Sequence, residues 1–168
     1  MITPAYVQLM ARYNRWQNEN LYGGAEQLPP AERNREAGAF FGSIQGTLAH
    51  ILWGDQQWMR RFDPTSPAPR AKSGAEGAKV YSDWTDLKRD RIAFDAAIIA
   101  WAERLDAAWL AGDLTYYSGI AKRDLSKPKW MLLTHYFNHQ THHRGQVHCL
   151  LTQAGVKPGD TDLPFMPV

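Results

Sequence analysis

Apolar positions recur at three- and four-residue intervals in four long stretches of this chain, separated by segments rich in proline and glycine. Thr3-Pro4 offers a capping hydroxyl and then a proline at the first helical position. Tyr6, Leu9, Tyr13, Trp16 and Asn20 follow at helical spacing up to Gly23-Gly24, which predicts a first helix over about residues 4–22. Leu28-Pro29-Pro30 and the charged run Glu32–Glu36 read as an irregular connection, because paired prolines resist helix continuation. A second helix is predicted from about Ala39 to Phe62, with Phe41, Ile44, Leu48, Leu52, Met59 and Phe62 on its apolar side and Asp63-Pro64 as its stop. Ser43, Gly46, Thr47, His50, Trp53, Gly54 and Gln57 lie on the adjacent side, where small residues leave room beside His50. Residues 63–80 read as a long surface crossover with nothing to bury. A third helix starts at Ser82 as N-cap and runs through Trp84, Leu87, Arg91, Phe94, Ile98, Trp101 and Leu105, with a break near Asp106. Leu114–Ser118 and Ile120–Leu125 suggest a short strand pair or extended lid, and Ser126 with Pro128 opens a fourth helix that Gly155 closes. The pattern predicts an all-α four-helix bundle with a long second connection and a short extended segment before the last helix.

That last helix carries five of the six histidines, in the run His135-Tyr-Phe-Asn-His139-Gln-Thr-His142-His143-Arg-Gly-Gln-Val-His148. Leu132, His135, His139, His143, Gln146 and Leu150 share one stripe at helical spacing. Two histidines one turn apart can aim ring nitrogens at one point, and neutral imidazole suits zinc, nickel, iron or copper. His139 and His143 form the leading pair, and His135 with His139 has the same spacing, so periodicity leaves both pairs open. His142 and His148 fall outside the stripe and read as surface residues. His50 alone reads as a hydrogen-bonded core histidine; beside the cluster it becomes the third donor that a zinc-type site requires.

Composition narrows the alternatives. With 168 residues and 44% hydrophobic content, the chain suits one domain with one buried core over residues 1–168. A formal charge of +2 with scattered Lys and Arg gives no basic stripe for nucleic acid. No apolar run approaches a membrane span and the N-terminus lacks a secretory core, so a soluble cytoplasmic protein without a membrane partner is expected. Lone Cys149 reads as a small helix residue. No Glu precedes a His by three residues, which argues against a carboxylate-bridged dimetal centre, and zincin, nucleophile-elbow and phosphate-loop motifs are missing. Three neutral imidazoles would leave a divalent ion its full charge and an open position for a water, an anion or a thiolate. Tyr13, Trp16 and Trp53 are candidate walls of a substrate pocket, and Arg144 is a candidate for holding an anionic substrate or pairing at the surface.

Asn14-Arg-Trp16, Gly46-Thr-Leu-Ala-His50-Ile-Leu-Trp-Gly-Asp55 and Asn138-His-Gln-Thr-His-His-Arg-Gly-Gln146 together resemble the DinB (DNA-damage-inducible) family of the DinB/YfiT superfamily, over nearly the full chain. The resemblance implies an up-down-down-up bundle, a homodimer, and a divalent metal held by His50, His139 and His143, with zinc or nickel expected ahead of iron or manganese. Ala49 stands where many relatives have Asn before the histidine. The wider superfamily implies a metal-dependent transferase using a low-molecular-weight thiol on a small-molecule substrate in stress response or detoxification. A metal-dependent hydrolase and a non-catalytic metal-binding dimer are the alternatives. DNA binding is not implied.

Overall fold

The structure, a computed structural model, describes residues 2–167. Four long helices dominate: α1 (Pro4–Glu26), α3 (Ile44–Phe62), α5 (Trp84–Glu103) and α7 (Lys129–Gln153). Three short ones, α2 (Pro30–Asn34), α4 (Gly74–Gly77) and α6 (Ala107–Ala111), sit in the connections. An antiparallel hairpin of β1 (Asp113–Ser118) and β2 (Arg123–Pro128) precedes α7, paired from Asp113 opposite Pro128 to Ser118 opposite Arg123. The fold is thus mostly helical with one small sheet, rather than purely helical.

Local chemistry explains most boundaries, and several differ from the expectation. Thr3 caps α1 by accepting from the Tyr6 backbone N–H. The helix then runs through Gly23-Gly24 to Glu26, because burial of Leu21, Tyr22 and Ala25 outweighs the cost of two glycines, roughly 1 kcal/mol each. Pro29-Pro30 starts the short α2, with Pro30 at a position where its missing N–H costs nothing. The second long helix begins at Ile44, not Ala39, since Ser43 is its cap and accepts from the Gly46 N–H. Residues 39–42 form a turn ahead of it, closed by a bridge between Ala39 and Gly42. Asp83, not Ser82, caps α5, because a carboxylate there takes the N–H groups of both Thr85 and Asp86. Asp106 caps α6 after the break the sequence suggests. Ser126 belongs to β2, and α7 begins after Pro128.

In the packing, α1 lies against α5 and α7, while α3 lies against α7 and α5. Tyr22 stacks on Trp84 at 5.3 Å and Gln8 donates to the Ala102 carbonyl. Tyr6 meets Phe137 edge-on, and Phe62 packs between Trp101 and Tyr136. Val7, Leu48, Leu52, Leu87, Ile98, Leu133 and Leu151 are buried at the centre, each stabilising the fold by roughly 1.5–3 kcal/mol relative to exposure.

A ring of buried polar groups crosses this core. Gln140 on α7 donates to Asp55 on α3, and Asp55 accepts from Arg91 on α5 at 2.6 Å. Arg91 also pairs with Asp95 at 2.8 Å, and Asp95 accepts from Asn14 and Asn18 on α1. Arg144 on α7 donates to Asn14 and completes the circuit. The core face of α7 is therefore Leu133, Tyr136, Phe137, Gln140, Arg144, Val147 and Leu151. The histidine stripe runs along the edge of that face instead of its centre.

Candidate metal centre

His50 projects from the middle of α3, and His139 and His143 from successive turns of α7, along the seam where these helices pack. One ring nitrogen from each of the three falls within 4.8 Å of the others, and among the described residues no further His, Cys, Asp or Glu joins the group. His50 and His143 are buried and His139 is half-buried. His135 is exposed and packs its ring against Trp58 at 5.1 Å, outside the cluster, although its ring centre is only 6.0 Å from that of His139. His142 is exposed and His148 half-buried, both off the seam.

Neighbours determine which nitrogens face inward. A carbonyl can only accept, so the contact of His50 Nδ1 with the Gly74 carbonyl at 3.3 Å places that ring's proton on Nδ1 and leaves Nε2 as a lone pair. His143 Nδ1 donates to Gln146 Oε1 at 2.7 Å and likewise leaves Nε2 free. The Gln146 amide nitrogen in turn faces His142 Nε2 at 3.4 Å, consistent with that orientation of the amide. Burial holds His50 down to about 4 and, reinforced by the neighbouring histidines, His139 down to about 3; burial lowers His143 as well. The rings are neutral at pH 7, the form that binds metals.

The donor set fits a divalent transition-metal ion. Nε2 of His50 and Nε2 of His139 are 3.3 Å apart. Two imidazoles bound tetrahedrally with bonds of roughly 2.0–2.1 Å would be separated by about 3.3 Å. A hydrogen bond between these two rings would account for that one contact. A cation accounts for the inward turn of all three.

Close packing leaves little freedom. Phe41, in the turn before α3, stacks on His50 with ring centres 3.5 Å apart and meets His143 at 5.3 Å. Gly54 is required by close approach, because a Cβ there would lie 2.8 Å from His139 Cε1. Trp53 packs at 5.6 Å from His50 and donates its indole N–H to the Ala71 carbonyl, pinning the crossover to α3. The crossover, far from having nothing to bury, supplies both Gly74, the partner of His50, and the buried Gly77. Phe41 is expected only as an apolar position of the second helix, and Gly74 has no expected role. A contact that bridges a turn or a crossover to a helix has no periodicity to reveal it.

The remaining candidates are placed elsewhere. Tyr13 and Trp16 pack on each other at 5.9 Å, and Tyr13 donates its hydroxyl to the Thr161 carbonyl in the C-terminal segment. Neither makes an aromatic contact or hydrogen bond with the three histidines. Arg144 is 5% exposed, which removes the surface-pair reading. Its guanidinium donates to Asn14 and Thr141 and lies 5.5 Å over the Tyr13 ring, and burial lowers its pKa to about 10. Among the described residues, no helix is long and apolar enough to cross a membrane.

The DinB family model matches residues 1–167. The chain is 29% identical over 156 residues to Protein DinB of Bacillus subtilis (strain 168), covering 89% of this chain and 87% of that protein. With a match of this extent joined to the three-histidine cluster, the chain belongs to the DinB family.

Proposed function

We propose that His50, His139 and His143 hold a divalent cation and that the protein is a metal-dependent enzyme joining a low-molecular-weight thiol to an electrophilic small molecule. The observation that carries this reading is the inward convergence of three neutral imidazoles with no carboxylate or thiolate among them. Structural zinc sites are closed by four protein donors, whereas three donors leave a position for a reactant. When bound, a divalent ion there supplies a positive charge that lowers the pKa of a coordinated thiol or water toward neutrality.

The rest of the chemistry belongs to the chain. The Gly74 carbonyl and Gln146 fix the tautomers of His50 and His143, so the donors are preorganised. Phe41 and Trp53 flank the His50 ring and keep water from that side. We further propose that the long helices run up-down-down-up. Supporting pairs are Gln8 with Ala102 and Glu26 with Lys88 for opposed α1 and α5, and His50 with His143 and Trp58 with His135 for opposed α3 and α7. Tyr6 with Phe137 and Asn14 with Arg144 support α1 and α7 running together.

Elemental analysis of untagged protein and its His50→Ala variant tests the ligand set. Near-stoichiometric metal in the parent and loss of it, together with thiol-conjugating activity, in the variant are expected. Equal metal content in both would remove the assignment. Cleavage of esters or amides without added thiol would transfer the reading to a hydrolase.

A further inference from the structure

We propose that Arg61 is a specificity-determining residue that binds a carboxylate on the small molecule reacting at the histidine cluster; this rests on the reading of that cluster as a metal-dependent site. Arg61 lies on α3 on the side that faces α7 and the hairpin, and its guanidinium sits between two aromatic faces, 4.5 Å over Trp58 and 4.5 Å over Tyr116 of β1. It is half-buried, and among the described residues it has no salt-bridge partner and no hydrogen-bond acceptor. Burial lowers its pKa, with Tyr116 as the opposing influence and no Asp or Glu contributing. The neighbouring Arg60 shows the contrast: it is exposed and occupied by the carbonyls of Pro64 and Ser66, where it fastens the start of the crossover.

A flat guanidinium held by its faces keeps its edge free, and that edge carries paired N–H donors matched to a planar carboxylate. The stacking also fixes the side chain in advance, so less freedom is lost when an anion binds. A partly desolvated cation without a counterion favours an anion over water as its partner.

The location ties it to the histidines. Trp58, the floor under Arg61, touches the His135 ring at 5.1 Å, and the His135 ring is 6.0 Å from that of His139. Along α3, Arg61 lies eleven residues past His50, about 16 Å of helix rise. The His50 side chain leans toward the N-terminus as Arg61 does, so that rise is not shortened from its end; His139, however, packs on α3 at Gly54, seven residues before Arg61, which leaves about 10 Å of rise between the cluster and Arg61. An extended chain covers roughly 3.3–3.6 Å per residue, so the matching ligand is the size of a tripeptide, with its thiol at the histidines and a carboxylate at Arg61.

Glutathione and its diethyl ester, which carries the same thiol with both carboxylates capped, are suitable probes for calorimetric titration of the zinc-loaded chain, Arg61→Gln and Arg61→Lys. The parent should bind the free acid more tightly than the ester by on the order of tenfold, one charge-assisted pair at a half-exposed site. Arg61→Gln should lose that preference with ester affinity unchanged, and Arg61→Lys, which retains charge without the fork, should keep part of it. Zinc affinity should be equal in all three, which also shows that the variants are folded. An undiminished preference in Arg61→Gln, no preference in the parent, or no binding of either thiol overturns the proposal. Failure of the parent to take up zinc overturns the metal reading instead, and the same titrations on metal-free protein then report on Arg61 alone.

Discussion

At the residue level, the tautomers decide what the cluster can do. His143 presents Nε2 inward because Gln146 Oε1 accepts its Nδ1 proton at 2.7 Å. Replacing Gln146 with Leu keeps the size but removes the acceptor, freeing the ring to exchange protons between its nitrogens or rotate. Loss of such an outer partner commonly costs 10–100-fold in metal affinity, so Gln146→Leu should weaken zinc binding by about that factor with little change in thermal stability. A competition titration with a chromogenic chelator measures it; unaltered affinity would show that packing by Phe41 suffices to orient the ring. Periodicity on α7 pointed to His139, His143 and Gln146, and the small residues around His50 pointed to that histidine. It could not separate the His135–His139 pair from His139–His143, because both have the same spacing. The family resemblance selects His139 with His143, and the physical reason is which turn of α7 lies opposite His50 on α3, a fact of helix register that spacing along one helix does not carry.

At the level of elements, the crossover between α3 and α5 shows where sequence reasoning stopped. Its prolines and glycines correctly mark an irregular connection, but composition does not show that α4 lies flat on α3. The contact depends on Gly77, where a Cβ would be 2.5 Å from Trp53 Cγ, part of a ring fixed by its bond to Ala71. Gly77→Ala should therefore lift α4 from α3. Overpacking of this kind typically costs about 1–3 kcal/mol, felt here in the local docking of the segment. Hydrogen exchange should speed up across residues 71–80, and metal affinity should fall as the Gly74 carbonyl leaves His50. Unchanged exchange would mean that the Trp53 contact does not hold the crossover. The long helices were legible because their apolar positions repeat over several turns. Their ends were less so: the same Gly pair that reads as a stop at Gly23-Gly24 is overridden by buried neighbours, and Ser82 and Asp83 are equally plausible caps until the backbone selects one.

For the molecule as a whole, the buried polar ring has the widest consequence, since it joins all four long helices through Gln140, Asp55, Arg91, Asp95, Asn14 and Arg144. Helix-to-helix apolar packing tolerates small slips, whereas a ring of directional bonds in the core accepts one register. Gln140 lies between His139 and His143 in the chain, so the bond that fixes Gln140 to Asp55 also fixes the turn of α7 that faces His50. Arg91 is the hub: it is 2% exposed, and its ion pair with Asp95 is close but not well aligned as a hydrogen bond. Burial opposes its charge, yet Asp95 and Asp55 together raise its pKa. Burial raises both carboxyls, and Arg91 is the main influence holding them down. Arg91→Met preserves length and removes that influence, leaving two buried carboxylates with only the more distant Arg144 to offset them, a loss of about 3–5 kcal/mol at neutral pH. The sign of its pH dependence follows. With folded-state pKa values raised further above those of the unfolded chain, the variant's folded state binds protons more readily, so its deficit is largest at neutral pH and narrows as pH falls through the raised values. Urea titrations of parent and variant at pH 7.5 and pH 5.5 should show a smaller gap in midpoint at the lower pH, alongside weakened zinc binding at neutral pH as α7 loses its register. A gap that stays constant or widens on acidification would mean that Asp55 and Asp95 are not the groups left uncompensated, and that the ring does not set the position of the histidines.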